Sequence, residues 1–143
     1  MARLSLQLPK KILTTVSIPV RITDINYGNH VGNNSIVEII HEARVQFLQQ
    51  NGFTELDIAG TSLIMSELQV EYKNESFYPT LLLIDIYCGE ISKVHFELYY
   101  KVSTKRDQQD ILIALAKTGM VCYDYDIKKI GNIPEELKAI LLS

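Results

Sequence analysis

What this sequence has little of narrows its class before any motif is read. It holds two cysteines in 143 residues, Cys88 and Cys122. Both sit in apolar, strand-like runs, with no CxxC spacing and no paired histidine. Neither a metal site nor a disulfide framework is expected, and two buried free thiols fit a reducing cytoplasm. No apolar run approaches the roughly 20 residues of a membrane span, and the N-terminus lacks the uninterrupted apolar segment of a signal peptide. Positive charge is not in excess. Fourteen Lys and Arg against 17 Asp and Glu leave a net charge of −3, which gives no electrostatic reason to expect nucleic acid or an anionic membrane as partner. The pairs Lys10-Lys11 and Lys105-Arg106 are local exceptions, and fit at most a small anionic ligand. There are no repeats, linkers or low-complexity segments, so residues 1–143 read as one soluble domain long enough for a sizeable core.

What is present is concentrated in residues 24–52. The segment Asp-Ile-Asn-Tyr-Gly-Asn-His-Val-Gly-Asn-Asn is a polar loop. Behind it comes the only long helix the sequence supports. Ile36, Ile39, Ile40, Ala43, Phe47 and Leu48 recur mostly at spacings of three and four, which draws one apolar stripe. Glu38, Glu42, Gln46 and Gln49 form a polar stripe on another side. Ser35 and Glu38 have the spacing of a capping box, and Gly52 stands where a left-handed terminal residue is wanted. Such a rod, ~25 Å long, cannot bury its stripe alone and needs a second layer.

The rest of the chain supplies strands. Ile12 to Ile22 reads as strand one, near an edge or a bulge because Pro19 cannot donate to a ladder. Ser62 to Tyr72 alternates, with Ile64, Leu68, Val70 and Tyr72 on one face and Glu67, Gln69 and Glu71 on the other. Leu81 to Cys88 is apolar on both faces apart from Asp85. Val94 to Val102 alternates again, and a charged hairpin loop follows at Lys105 to Asp110. Ile111 to Tyr125 is the longest strand candidate, with Gly119 marking a bulge or a close backbone approach. Pro134-Glu135-Glu136 opens a short terminal helix, with proline at its first position and acids against the dipole. One strand, a long helix and four strands joined by short turns give an α+β fold. Its curved antiparallel five-stranded sheet wraps around one long central helix. A strand apolar on both faces and an open sheet edge argue for burial against a second subunit.

The stretch Val20-Arg21-Ile22-Thr23-Asp24, followed by His30-Val31, Asn33 and Glu42-Ala43-Arg44, resembles the 4-hydroxybenzoyl-CoA thioesterase branch of the hotdog-fold superfamily. DINYGNHVGN with HEARVQFL is similar to a subgroup of acyl-CoA thioesterases. Gln69-Val70-Glu71-Tyr72 resembles the family's second strand, and Asp124 with Ile133-Pro134 its C-terminal turn. The resemblance implies the hotdog fold and hydrolysis of an acyl-CoA or acyl-carrier-protein thioester. It further implies a homodimer or dimer of dimers with sites at the subunit interface. In many relatives a catalytic aspartate occupies the position that matches Asn26, and Asp24 matches a second acidic position. An amide can orient water but cannot act as a base.

Thioester hydrolysis asks little of an acid, since a leaving thiol with a pKa of about 8.5 departs readily. It needs an activated water and donors aimed at the oxyanion. Backbone N–H groups at the helix start have no intrahelical acceptor, so Val31, Gly32 and Asn33 are the oxyanion or substrate-binding candidates. Ordinary capping by Asn33, Asn34 or Ser35 would use up the same donors. Asp24, the loop's only carboxylate, is the first candidate for base or water-orienting group; a plain loop-stabilising role is the alternative. Asn26 positions water or carbonyl on this reading, or else serves as a turn residue. His30 is a base or donor, or an anchor for the loop. Glu42 is a reserve base on the helix, and pairing with Arg44 is its blander role. Two other functions fit less well. One is a non-catalytic acyl-thioester binder that lost the acid at Asn26. The other is a hotdog enoyl-CoA hydratase, whose D-x-N-P-x-H pattern is broken here by Tyr27 and a histidine one residue late. No cofactor is indicated; CoA enters as part of the substrate.

Overall fold

The computed structural model describes residues 5–143. Met1 to Leu4, part of the segment expected to lead into the first strand, lie outside the described residues. The order is β1 (Ile12–Pro19), α1 (Asn33–Gln50), β2 (Ser62–Tyr72), β3 (Leu81–Ile91), β4 (His95–Arg106), β5 (Gln109–Asp124), β6 (Lys129–Gly131) and α2 (Glu135–Leu142). All pairings are antiparallel. The sheet runs β1-β3-β4-β5-β2, with β6 added beside β5. The long helix packs on one face of this curved sheet, as its stripe requires. Ile36, Ile39, Ile40, Ala43, Phe47 and Leu48 are all buried. They meet alternate residues of the strands, among them Ile84, Leu98, Tyr100, Ala116 and Met120.

One charged residue shares that stripe. Arg44 is 5% exposed, and a buried guanidinium is tolerated only when paired. Its Nε donates to Glu55 Oε2 at 2.9 Å and a terminal nitrogen donates to the Tyr100 hydroxyl at 3.2 Å. The Tyr100 oxygen lies 2.7 Å from Thr118 Oγ1. Helix, following loop, β4 and β5 are thereby joined through one polar chain. Burial disfavours the charged forms of both Arg44 and Glu55. Their mutual attraction overcomes it, raising the arginine pKa and lowering that of the carboxyl.

Several sequence expectations are corrected. The sheet has six strands, not five; β6 is three residues of a polar hairpin and has no periodicity to read. Strand one stops at Pro19, and Ile22–Asp24 is a 3₁₀ turn. In β2 a bulge between Met65 and Glu67 shifts the alternation. Leu63, Met65, Leu68, Val70 and Tyr72 therefore face the helix side, while Ile64 joins Glu67, Gln69 and Glu71 on the other. The bulge lies opposite Gly119, where Ser66 Oγ donates to the Gly119 carbonyl at 3.1 Å and an added Cβ would stand 2.9 Å from His95 Nε2. Finally, Pro134 caps α2 from outside its first turn, so the helix proper starts at Glu135.

The two ends of α1 differ. At the C-terminus Gly52 has φ +79°, its N–H donates to Gln49 and that of Phe53 donates to Leu48, which closes the last turn. At the N-terminus Gly32 is the cap residue and no side chain caps the helix. The expected Ser35–Glu38 capping box does not form, because the cap is Gly32 and the helix begins at Asn33, three residues before the Ile36 start that a Ser35 cap implies. Cys122 is fully buried, and burial pushes its thiol up to about 11. Among the described residues no helix is long and apolar enough to cross a membrane.

Candidate active site

The loop between β1 and α1 is fastened at both sides. Isolated bridges join Ile25 to Val31 and His30 to Phe77. Asp24, 3% exposed, is closed off by Arg21. Its Oδ2 accepts the Arg21 backbone N–H at 2.8 Å and Nε at 3.3 Å, and Oδ1 accepts Nη2 at 3.0 Å. Burial alone would raise the Asp24 pKa. The Arg21 hydrogen bonds and charge, with the Ser35 hydroxyl, outweigh it and hold the carboxyl below its ordinary range. A carboxylate so engaged is a fastening for the loop, and its side chain does not line the adjacent cleft.

Asn26 is likewise half committed. Its Oδ1 accepts the N–H groups of Gly28 at 2.9 Å and His30 at 3.2 Å, the habit of asparagine in tight turns. Its Nδ2 makes no hydrogen bond among the described residues, and Asn26 is one of the residues that border the cleft. His30 is half-buried, with Nδ1 3.2 Å from Glu75 Oε1 and its ring edge-on to Phe77 at 5.2 Å between centroids.

At the helix start the donors divide. Val31 N–H is taken by the Ser76 carbonyl at 2.8 Å and Gly32 N–H by the Asp24 carbonyl at 3.0 Å. Ser35 and Ile36 N–H groups both turn back to Gly32 O. The backbone N–H groups of Asn33 and Asn34 meet no acceptor among the described residues. The donors available at the dipole's positive end are therefore Asn33, one of the three candidates the sequence suggested, and Asn34, while the other two candidates, Val31 and Gly32, are already bonded. Both open on a polar cleft of about 450 Å³, bordered by Asn26, His30, Gly32, Asn33, Asn34 and Glu75. An inner lobe of about 200 Å³ shares Val31, Asn33 and Glu75 with it, and continues to Ile36, Tyr72 and Ser76.

The structure thus gathers Asn26, His30, Val31, Gly32 and Asn33 around one cleft and sets the Asp24 side chain behind it. Sequence reasoning missed Glu75 and Ser76. They arrive from the turn after β2, through pairing that no local motif announces. Glu42 points elsewhere. It is exposed, accepts Gln46 Nε2 at 3.1 Å, and borders a separate groove of about 500 Å³ between β1 and α1. That groove is larger but presents no free helix-terminal donors. Among the described residues no His, Cys, Asp and Glu side chains are grouped as a metal would need. A carbonyl at Asn33 and Asn34 would be polarised, with His30 and Glu75 beside it to move a proton.

A sheet curved around one long helix, with its cleft at the helix N-terminus, is the hotdog fold. A 1,4-dihydroxy-2-naphthoyl-CoA thioesterase from Synechocystis shares it at a TM-score of 0.80 and 20% identity, over 90% of this chain and 95% of that one. A putative thioesterase from Pseudomonas aeruginosa matches at 0.81 and 22%, over 90% and 98%. A DHNA-CoA thioesterase from Staphylococcus aureus matches at 0.73 and 18%, over 83% and 79%. At such identities the likeness speaks for the fold. No curated protein sequence matches the chain. Residues 20–141 match the family model of the thioesterase-like superfamily. The chain belongs to that superfamily, and with it to the thioester hydrolases.

The Asp24 fastening carries a pH signature. A carboxyl whose pKa is lowered by folding adds stability above its unfolded value, near 4, and loses it as pH falls through the folded value. The melting-temperature gap between the protein and Asp24→Asn is expected to be full at pH 7 and to shrink below about pH 4. A gap independent of pH between 7 and 3 contradicts this role for Asp24.

Proposed function

We propose that the protein hydrolyses acyl-CoA thioesters. The observation that carries the proposal is the pair of unpartnered N–H groups of Asn33 and Asn34, facing a cleft that also holds His30 and Glu75. The thioester carbonyl would accept from these two donors, where preorganised dipoles stabilise the developing oxyanion. A water held by Asn26 Nδ2 and His30 would attack, with His30 taking its proton and Glu75 orienting the ring. Asp24 would act through the loop it fastens, and Val31 and Gly32 through the backbone bonds that set the helix start. CoA as carrier is supported by the neighbours named for CoA thioesters. An acyl carrier protein remains the other carrier for the same chemistry. A non-catalytic acyl-thioester binder is the second reading. It is favoured by one feature, the lack of a free carboxylate where Asn26 stands.

The same reading includes a homodimer. On the open edge of the sheet β2 leaves Met65, Leu68 and Tyr72 exposed on the helix side, and Tyr72 donates to the Asn33 carbonyl at 3.0 Å. A second copy paired along β2 would cover these side chains and close the cleft beside them. Light scattering should give twice the 16.3 kDa chain mass or a multiple, and Leu68→Asp should lower it. A monomer at micromolar concentration would refute the paired edge.

Release of free thiol from short, long and aromatic acyl-CoA separates the two readings of the site. Hydrolysis should be seen with at least one acyl-CoA, and His30→Ala should lower kcat/KM by about a hundredfold with the fold retained. Binding without thiol release from any acyl-CoA or acyl carrier protein would put the binder reading in its place.

A further inference from the structure

The hydroxyl of Ser76 is the exception among buried polar groups. Ser76 is 2% exposed, and among the described residues its Oγ is the one buried side-chain oxygen or nitrogen without a hydrogen-bond partner. The hydroxyls of the other buried serines and threonines are paired: Ser62 with Leu56 O at 2.6 Å, Thr104 with Leu81 O at 2.8 Å, Thr118 with Tyr100 at 2.7 Å. Burying a hydroxyl unpaired is unfavourable, and a group left in that state within a binding cavity calls for a partner from outside the chain.

Its position suits that role. Ser76 lines the inner lobe, whose other walls include the apolar Val31, Ile36 and Ile113. The remaining polar side chains there are largely committed. Tyr72 donates to Asn33 O, and Asn74 Nδ2 donates to Leu112 O at 2.8 Å. The Ser76 carbonyl accepts Val31 N–H, which fixes the residue two positions from the free donor of Asn33.

We infer that Ser76 is a specificity-determining residue, its hydroxyl pairing with a hydroxyl or keto group on a short acyl chain whose thioester carbonyl sits at Asn33 and Asn34. The inference rests on the hydrolase site proposed above. The lobe's size agrees, since a cavity of about 200 Å³ has room for a short substituted acyl group. A site built to pair a substrate hydroxyl discriminates strongly against the analogue lacking it.

The test uses butyryl-CoA and 3-hydroxybutyryl-CoA, and their non-hydrolysable analogues in which methylene replaces the thioester sulfur. Calorimetric binding of the analogues and thiol release from the parents are measured on the full chain, on Ser76→Ala and on Ser76→Thr. The full chain should bind the hydroxylated analogue at least fivefold more tightly, the worth of one hydrogen bond. Ser76→Ala should erase that preference by weakening the hydroxylated analogue alone, without lowering the melting temperature, since no folded-state bond is lost. Ser76→Thr, which keeps the hydroxyl, should retain much of the preference. An equal effect of Ser76→Ala on both analogues, or a preference it leaves intact, overturns the inference. A binding preference lost in Ser76→Ala but unaccompanied by thiol release supports Ser76 and counts against hydrolysis of short acyl-CoA. Thiol release without any preference overturns the inference and leaves the hydrolase reading standing, and binding of neither analogue overturns the inference.

Discussion

The molecule depends on burying one side of α1. Eighteen residues long, the helix presents a single stripe of Ile36, Ile39, Ile40, Ala43, Phe47 and Leu48, and no isolated helix recovers its ordering entropy from such a stripe. The antiparallel strands are the surface that accepts it. Arg44, set within the same buried side, then restricts how the layers can meet. Its charge must be answered by Glu55, and one further donor by Tyr100. Packing alone would allow the helix to slide or rotate on the sheet by a residue. A buried, paired guanidinium does not, since any shift would strand a charge in the core.

That fixed position decides what happens at the helix N-terminus. The preceding loop enters α1 through Gly32, which brings no capping side chain. Asp24, the loop's carboxylate, is turned away and held by Arg21. The loop and the strand turn at Ser76 consume the donors of Gly32 and Val31. What is left is a narrow gap of two N–H groups at Asn33 and Asn34, at the positive end of an 18-residue dipole. The usual cost of an uncapped helix is accepted exactly where a developing negative charge would benefit. Stability given up locally is a common mark of a functional site.

Most of the architecture was legible in the sequence because it is written in periodicities. The helix stripe is buried residue for residue, and the strands from Ser62 onward lie where alternation placed them, some extending a few residues further. Gly52 and Gly119 carried their own signals, and both hold: a left-handed helix end and a close approach beside a bulge. The resemblance at residues 20–53 led to the right fold and family. The failures share a cause. Alternation cannot announce a bulge, so Ile64 was put on the wrong face. Ser35 has capping-box spacing from Glu38, yet tertiary contacts start the helix at Asn33. At the site, sequence gives the loop's composition but not its wiring. Asp24 looks like a free carboxylate until Arg21 is seen across it, and Glu75 and Ser76 come to the cleft only through pairing between distant segments.

In the proposed hydrolase the free donors of Asn33 and Asn34 receive the thioester carbonyl. Amide NMR of the full chain, titrated with a non-hydrolysable acyl-CoA analogue that keeps the carbonyl, reads those two groups directly. The Asn33 and Asn34 amide protons should move downfield as the carbonyl binds, while those of Val31 and Gly32, already bonded, should move little. Shifts centred instead on Glu38, Glu42 and Val45, in the groove between β1 and α1, would place the ligand elsewhere and contradict this role for the two donors.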